Sequence, residues 1–216
     1  LESSVWRKRE SKINFEFPDY GISEDRKRVF IESIESVIPR MGAKTRLREW
    51  LVQRFPKCHA YVEPFGGSFK VLLWKRREDP IEVINDFDGD LVCFFRYATY
   101  FPDQLAEEIN RLPCHQGLIR MLRGELSRGE LSGMERAIAF YVSTRSSFNG
   151  TGENWAGSVQ SKVRITADAR KFRAVADRLR RVDTRSGNAF NVIENCNKPL
   201  DESRYPGGVF FYLDPP

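Results

Sequence analysis

Three groups of residues have the types and spacing that chemistry on a bound ligand would need. Glu63-Pro64-Phe65-Gly66-Gly67-Ser68 stands between a short apolar run and a helical pattern. Its paired glycines let a backbone approach a ligand with no Cβ in the way. Asp86 closes the next apolar run, 20 positions after Gly66. At that distance a carboxylate at the end of a second strand reaches both hydroxyls of a ribose. The third group, Asp214-Pro215-Pro216, follows the apolar stretch Gly208 to Leu213. Two prolines fix the backbone and leave a carbonyl without an N–H, so the Asp214 side chain and the Pro215 carbonyl can accept from one amino group. That suits an exocyclic amine acting as a nucleophile, although D-P-P alone also suits a turn that ends a strand. G-x-G-x-x-G is absent, and Gly42-Ala43-Lys44-Thr45 lacks the glycine before lysine of a phosphate-binding loop. A ribose site without a phosphate cradle points to an adenosyl ligand.

These residues need a framework. Ala60 to Glu63 reads as a buried strand, Val71 to Leu73 as helix, Ile81 to Ile84 as a second strand and Leu91 to Phe95 as another helix. Strand, glycine turn, helix, strand and acid make a βαβ unit of about thirty residues. Upstream, Val29, Phe30, Ile34, Val37 and Ile38 recur at helical spacing up to Pro39, and Leu47, Leu51 and Phe55 mark a helix beginning near a capping Thr45. Asp103 to Arg145 suits several helices, with Gly124 to Gly133 as an exposed connection, and Phe148 to Gly157 is turn-forming. Thr166 is positioned to cap a helix with Phe172, Val175, Leu179 and Val182 on one face. Ala189 to Ile193 and Val209 to Leu213 read as further strands.

The 35 Lys and Arg against 30 Asp and Glu leave a net +5 over 216 residues. Between Lys162 and Arg185 nine basic residues face three acids, a local +6 that exceeds the total and suits a polyanionic partner. With 41% hydrophobic and 30% charged positions the composition excludes disordered and fibrous classes. The longest apolar run, Ala137 to Val142, is six residues, against the roughly 20 of a membrane-spanning helix. No secretory signal is visible in Leu1 to Glu10, and Leu1 is not a start methionine. Cys58, Cys93, Cys114 and Cys196 are widely spaced. They read as reduced cytosolic thiols rather than a metal site.

With these segments in place the chain resembles the Dam-type adenine-specific DNA methyltransferases from about Ile38 to Pro216. Pro39-Arg40-Met41-Gly42-Ala43-Lys44 is similar to the family's opening K-W-A-G-G-K, and Tyr61 to Ser68 to its first motif. Asn85 to Leu91 resembles its N-D-x-N-x-D-L, and Ser147-Phe148-Asn149-Gly150 its S-F-N-G. Asp214-Pro215-Pro216 matches the start of D-P-P-Y, and the chain reads as a fragment ending before the aromatic.

The resemblance implies an α/β, Rossmann-like fold, mostly parallel sheet with helices on both faces and a helical DNA-recognition insertion. It implies methyl transfer from S-adenosylmethionine, with S-adenosylhomocysteine as product, to N6 of an adenine flipped out of duplex DNA. Asp214, Pro215 and Pro216 would be catalytic. Arg40, Gly42, Lys44, Glu63, Pro64, Phe65, Gly66, Gly67, Asp86, Phe87, Asn195, Cys196 and Asp214 would hold the cofactor. Asn149, Arg170, Lys171, Arg173, Arg178 and Arg181 would contact DNA. The enzyme would be a cytoplasmic, nucleoid-associated monomer of bacterial, phage or mobile-element origin, using no metal and no membrane. Its parts would be an arm over 1–37, a cofactor-binding part over 38–102, a basic recognition region over 103–185 and a return to the sheet over 186–216. The sequence departs from the family at Arg40, where an aromatic packs on the cofactor, at Phe69-Lys70, where a third glycine or small residue is usual after the Ser, and in a shortened hairpin after Asn149. The alternatives are a catalytically silent DNA- or cofactor-binding module and a methyltransferase acting on RNA or protein amines.

Overall fold

The computed structural model describes residues 34–40, 42, 44–75, 79–113, 115–147, 165–197 and 206–216. Its frame is a parallel sheet of β1 (Ala60–Glu63), β2 (Ile81–Asp86), β3 (Asp183–Ser186) and β4 (Val209–Phe211), in the order β3-β2-β1-β4. Glu63 stands opposite Ile84, Asp86 opposite Ser186 and Val62 opposite Phe211. The strand order therefore reverses beside β1. In open parallel sheets the crevice at such a reversal, outside the strands' carboxyl ends, is where ligands bind.

Successive strand residues point to opposite faces, and the core divides accordingly. On one face Tyr61 and Ile84 join a cluster with α2 (Lys70–Trp74), α3 (Gly89–Tyr100), α4 (Pro102–Arg111), α5 (Gln116–Ser127), α6 (Gly133–Arg145) and α7 (Ala169–Leu179). On the other, Val62 and Val83 pack against Val192 of α8 (Ala189–Cys196). A short helix, α1 (Arg48–Val52), precedes β1. Phe94 of α3 meets Tyr141 of α6 and Phe172 of α7 in stacked and edge-on ring contacts, which seats both helices on α3. Glu82, the second residue of β2, is answered from α7: Arg178 donates to both its oxygens at 2.6 and 2.8 Å. Lys75 adds a third bond at 3.0 Å and also pairs with Asp79 at 2.5 Å, all of them buried. A buried carboxylate persists only with such partners.

Several expectations are corrected. Ala189 to Ile193 is helix, not strand, because Asn188 caps it by accepting from Phe190 N at 2.9 Å. The strand in that region is β3, whose polar D-T-R-S sequence carries no apolar signal. Asp168, rather than Thr166, caps α7 through Arg170 N. Thr45 lies in a turn before α1 and accepts from Lys70 Nζ instead of capping. Ile34 to Ile38 is not helical, and Gly124 lies inside α5. Val29, Phe30 and the turn-forming segment from Phe148 to Gly157 lie outside the described residues. Among the described residues no helix is long and apolar enough to cross a membrane, and no group of three or more His, Cys, Asp or Glu gathers as metal ligands would.

Candidate functional site

A cavity of about 500 Å³ opens at the carboxyl ends of β1, β2 and β4, where the strand order reverses. Arg40, Gly42, Lys44, Glu63, Phe65, Gly66, Gly67, Asp86, Phe87, Asp214, Pro215 and Pro216 line it, bringing together residues separated by up to the whole described chain. Ser68, Lys70, Val71 and Asp88 complete the wall. None of these four is among the cofactor-holding residues the resemblance implies, although Ser68 belongs to the glycine-turn segment and Asp88 to the same acidic motif as Asp86.

The floor is the turn after β1. Gly67 has φ +51, a backbone region that disfavours side chains, and a Cβ there would meet nothing but open space. A Cβ on Gly66 would instead approach Ile84 Cγ1 to 2.7 Å, so this glycine is required by its packing on β2. Asp86 fixes the turn. Its Oδ2 accepts from Gly67 N at 2.7 Å and its Oδ1 from Asp88 N at 2.9 Å. Each oxygen retains a lone pair for a ligand hydroxyl. The neighbouring Asn85 donates to Pro64 O at 2.9 Å and Gly187 O at 3.0 Å, which ties the turns after β1 and β3 together. Phe69 is left-handed at φ 58, and its ring leaves the cavity altogether, stacking on Phe95 at 4.1 Å with no solvent exposure. The bulk that threatened to crowd the turn is absorbed by the core.

The acidic motif after β2 divides its labour. Asp86 faces the cavity, Asp88 caps α3 through Asp90 N and Leu91 N, and Asp90 pairs with Arg136 of α6 at 2.6 Å. Asp88 also receives Arg40 at 3.3 Å. On the opposite side Lys44 meets Asp214 at 2.9 Å. Arg40 and Lys44 are therefore held by ion pairs, one beside β2 and the other beside β4. Phe87, 83% exposed, offers a bare ring on the rim.

Glu63 ends β1 inside the cavity wall and is itself buried, with Tyr61 Oη donating to its Oε2 at 2.9 Å. Burial pushes its pKa up to about 8, opposed by the Tyr61 hydrogen bond and assisted by Asp214 across the cavity. At neutral pH it is largely protonated until a cation arrives.

Other expected site residues lie elsewhere. Pro64 supports the turn through its carbonyl and does not line the cavity. Asn195 is exposed at the end of α8 and Cys196 packs with Val62 and Phe211, so neither reaches the cavity, because the segment is helical. Arg178 is corrected from a surface cation to a buried partner of Glu82. Arg181 is exposed just before β3 begins, and so stands at the amino edge of the sheet, away from Asp214. Arg170, Lys171 and Arg173 are exposed, Arg170 beside Asp168 and Arg173 paired with Asp103 at 2.6 Å. Asn149 lies outside the described residues.

The cavity combines a carboxylate with lone pairs left for hydroxyl donors, an approachable glycine turn, and a second carboxylate on a proline-fixed backbone. That set can hold a nucleoside and present an acceptor to an amine. Comparison with curated proteins finds no match. A family model described as D12 class N6 adenine-specific DNA methyltransferase matches residues 41–216.

Proposed function

Since the chain belongs to the D12 class N6 adenine-specific DNA methyltransferase family, we propose that it methylates an adenine flipped out of duplex DNA, using S-adenosylmethionine. The supporting observation is the convergence of Asp214, the glycine turn and Asp86 on one cavity at the reversal of strand order. The cavity fits the cofactor's chemistry. Asp86 has lone pairs for the ribose diol, and Phe87 an open ring for the adenine face. Glu63 is a buried acid that ionises when an ammonium replaces its lost hydration. Arg40, Gly42 and Lys44 close the cavity from the amino-terminal side. Bound there, S-adenosylmethionine supplies an electrophilic methyl group.

Asp214 and the Pro215 carbonyl accept the two N–H groups of the adenine amine and aim its lone pair at the methyl carbon, while Pro216 keeps the backbone in place. Asp214 is bonded to Lys44 in the structure, so the amine must share or take over that carboxylate. The target base has to leave the helix stack to reach the cavity. The region over 103–185 supplies DNA contacts in this reading, with Arg170, Lys171 and Arg173 on phosphates and Asn149 in the segment that follows α6.

The test is transfer of labelled methyl from S-adenosylmethionine to adenine in duplex DNA, read as N6-methyladenine. Asp214→Ala should lower turnover by at least about 10²–10³-fold while DNA binding persists. Normal turnover in that variant, or no N6-methyladenine from a protein that binds both ligands, would overturn the reading.

A further inference from the structure

Lys70 carries a charge that the rest of the cavity does not answer. Arg40 faces Asp88 and Lys44 faces Asp214. The Lys70 ammonium lies 2.9 Å from the hydroxyl of Thr45, a neutral partner. Among the described residues no carboxylate stands within ion-pair distance of it, although it lines the cavity. Burial and the neighbouring Arg48 hold its pKa below the ordinary lysine value, which Glu35, paired with Arg48, offsets only in part. An anion in the cavity would relieve both effects.

The fold specifies where that anion would sit. Phe69 turns its ring into the core, and the next residue is the one that faces the cavity. Thr45, which accepts from the ammonium, adjoins Lys44, the partner of Asp214. Glu63 closes β1 at the head of the turn that leads to Lys70, and it also lines the cavity. The cavity wall thus holds a buried acid and an ammonium that has no ion pair among the described residues, a complement to a zwitterion.

We propose that Lys70 binds the carboxylate of the ligand's amino-acid end while Glu63 takes its ammonium. The proposal rests on the S-adenosylmethionine reading and deepens it.

Calorimetric titration with two probes tests it. S-adenosylhomocysteine carries the amino-acid end, and 5′-methylthioadenosine is the same nucleoside thioether without it. Lys70→Met should weaken S-adenosylhomocysteine by roughly ten- to a hundredfold, the range of a charge-assisted hydrogen bond. It should leave 5′-methylthioadenosine unchanged, which also reports that the variant is folded, and Lys70→Arg should retain most of the affinity. Equal loss for both probes, or none for S-adenosylhomocysteine, overturns the proposal. So does a variant that loses DNA affinity alone, which would assign the ammonium to a phosphate. A wild-type protein that binds neither probe would overturn the function reading beneath it.

Discussion

Arg178→Met separates two roles for one arginine. The charge pattern of the sequence put it on a DNA-facing surface, whereas the structure puts it inside, bonded twice to Glu82 and once, at 3.2 Å, to the Lys75 carbonyl. The buried group is neutral as a whole, two cations with two carboxylates. Removing Arg178 leaves Glu82 and Asp79 to share one ammonium, an uncompensated buried negative charge. Breaking such a pair costs about 3–5 kcal/mol. In a chain of this length each kcal/mol corresponds to about 2–4 °C, so Tm should fall by about 6–20 °C. Adding Glu82→Gln restores neutrality around Lys75 and Asp79 and should recover much of the loss, a non-additivity that a surface arginine would not produce. Urea denaturation of the single and double variants measures it, with DNA affinity followed against salt concentration. An Arg178→Met protein of unchanged stability, whose DNA affinity falls and whose salt slope shrinks by about one, would refute the structural role.

Two further variants probe the cavity. Glu63 has a pKa of about 8 in the fold against 4.5 for the free side chain, so the native state holds a proton that the unfolded chain loses between those values. Its stabilising contribution is complete below pH 4.5 and disappears as pH rises through 8, a change on the order of 5 kcal/mol. Relative to Glu63→Gln, the wild type should lose stability across that window in urea titrations at successive pH values, and parallel pH profiles would contradict the assignment. Gly66→Ala drives a methyl into Ile84 and should cost about 1–3 kcal/mol in thermal denaturation; an unchanged Tm would show that the turn has room the geometry denies.

The sequence was legible where apolar patterning and special residues coincide. β1 and β2 are covered by helices on both sides, so their short apolar runs stood out, and the glycines and Asp86 followed from a turn that needs them. β3 escaped because an edge strand with polar side chains is held by backbone pairing to β2, which leaves no hydrophobic trace. The apolar run at Ala189 to Ile193 is too short to separate helix from strand by periodicity, and Asn188 as a capping residue was the available signal. Arg178 was legible in principle. It falls three positions after the core residue Val175, and Glu82 interrupts an apolar strand, so each asks for a partner of opposite charge. The Lys44–Asp214 pair joins residues near opposite ends of the described chain, and no local rule of spacing reaches that far.

Phe69 gives the cavity floor an unusual mechanical root. A left-handed backbone at a non-glycine residue costs roughly 1–2 kcal/mol, and here the stacking of its ring on Phe95 of α3 offsets that cost. The turn that would cradle a ligand is consequently anchored from below, like a bracket bolted to the interior. How α3 is seated is transmitted to the height of the floor. Substitutions at Phe95, out of reach of any bound molecule, would register as altered ligand affinity before they registered as a lost fold.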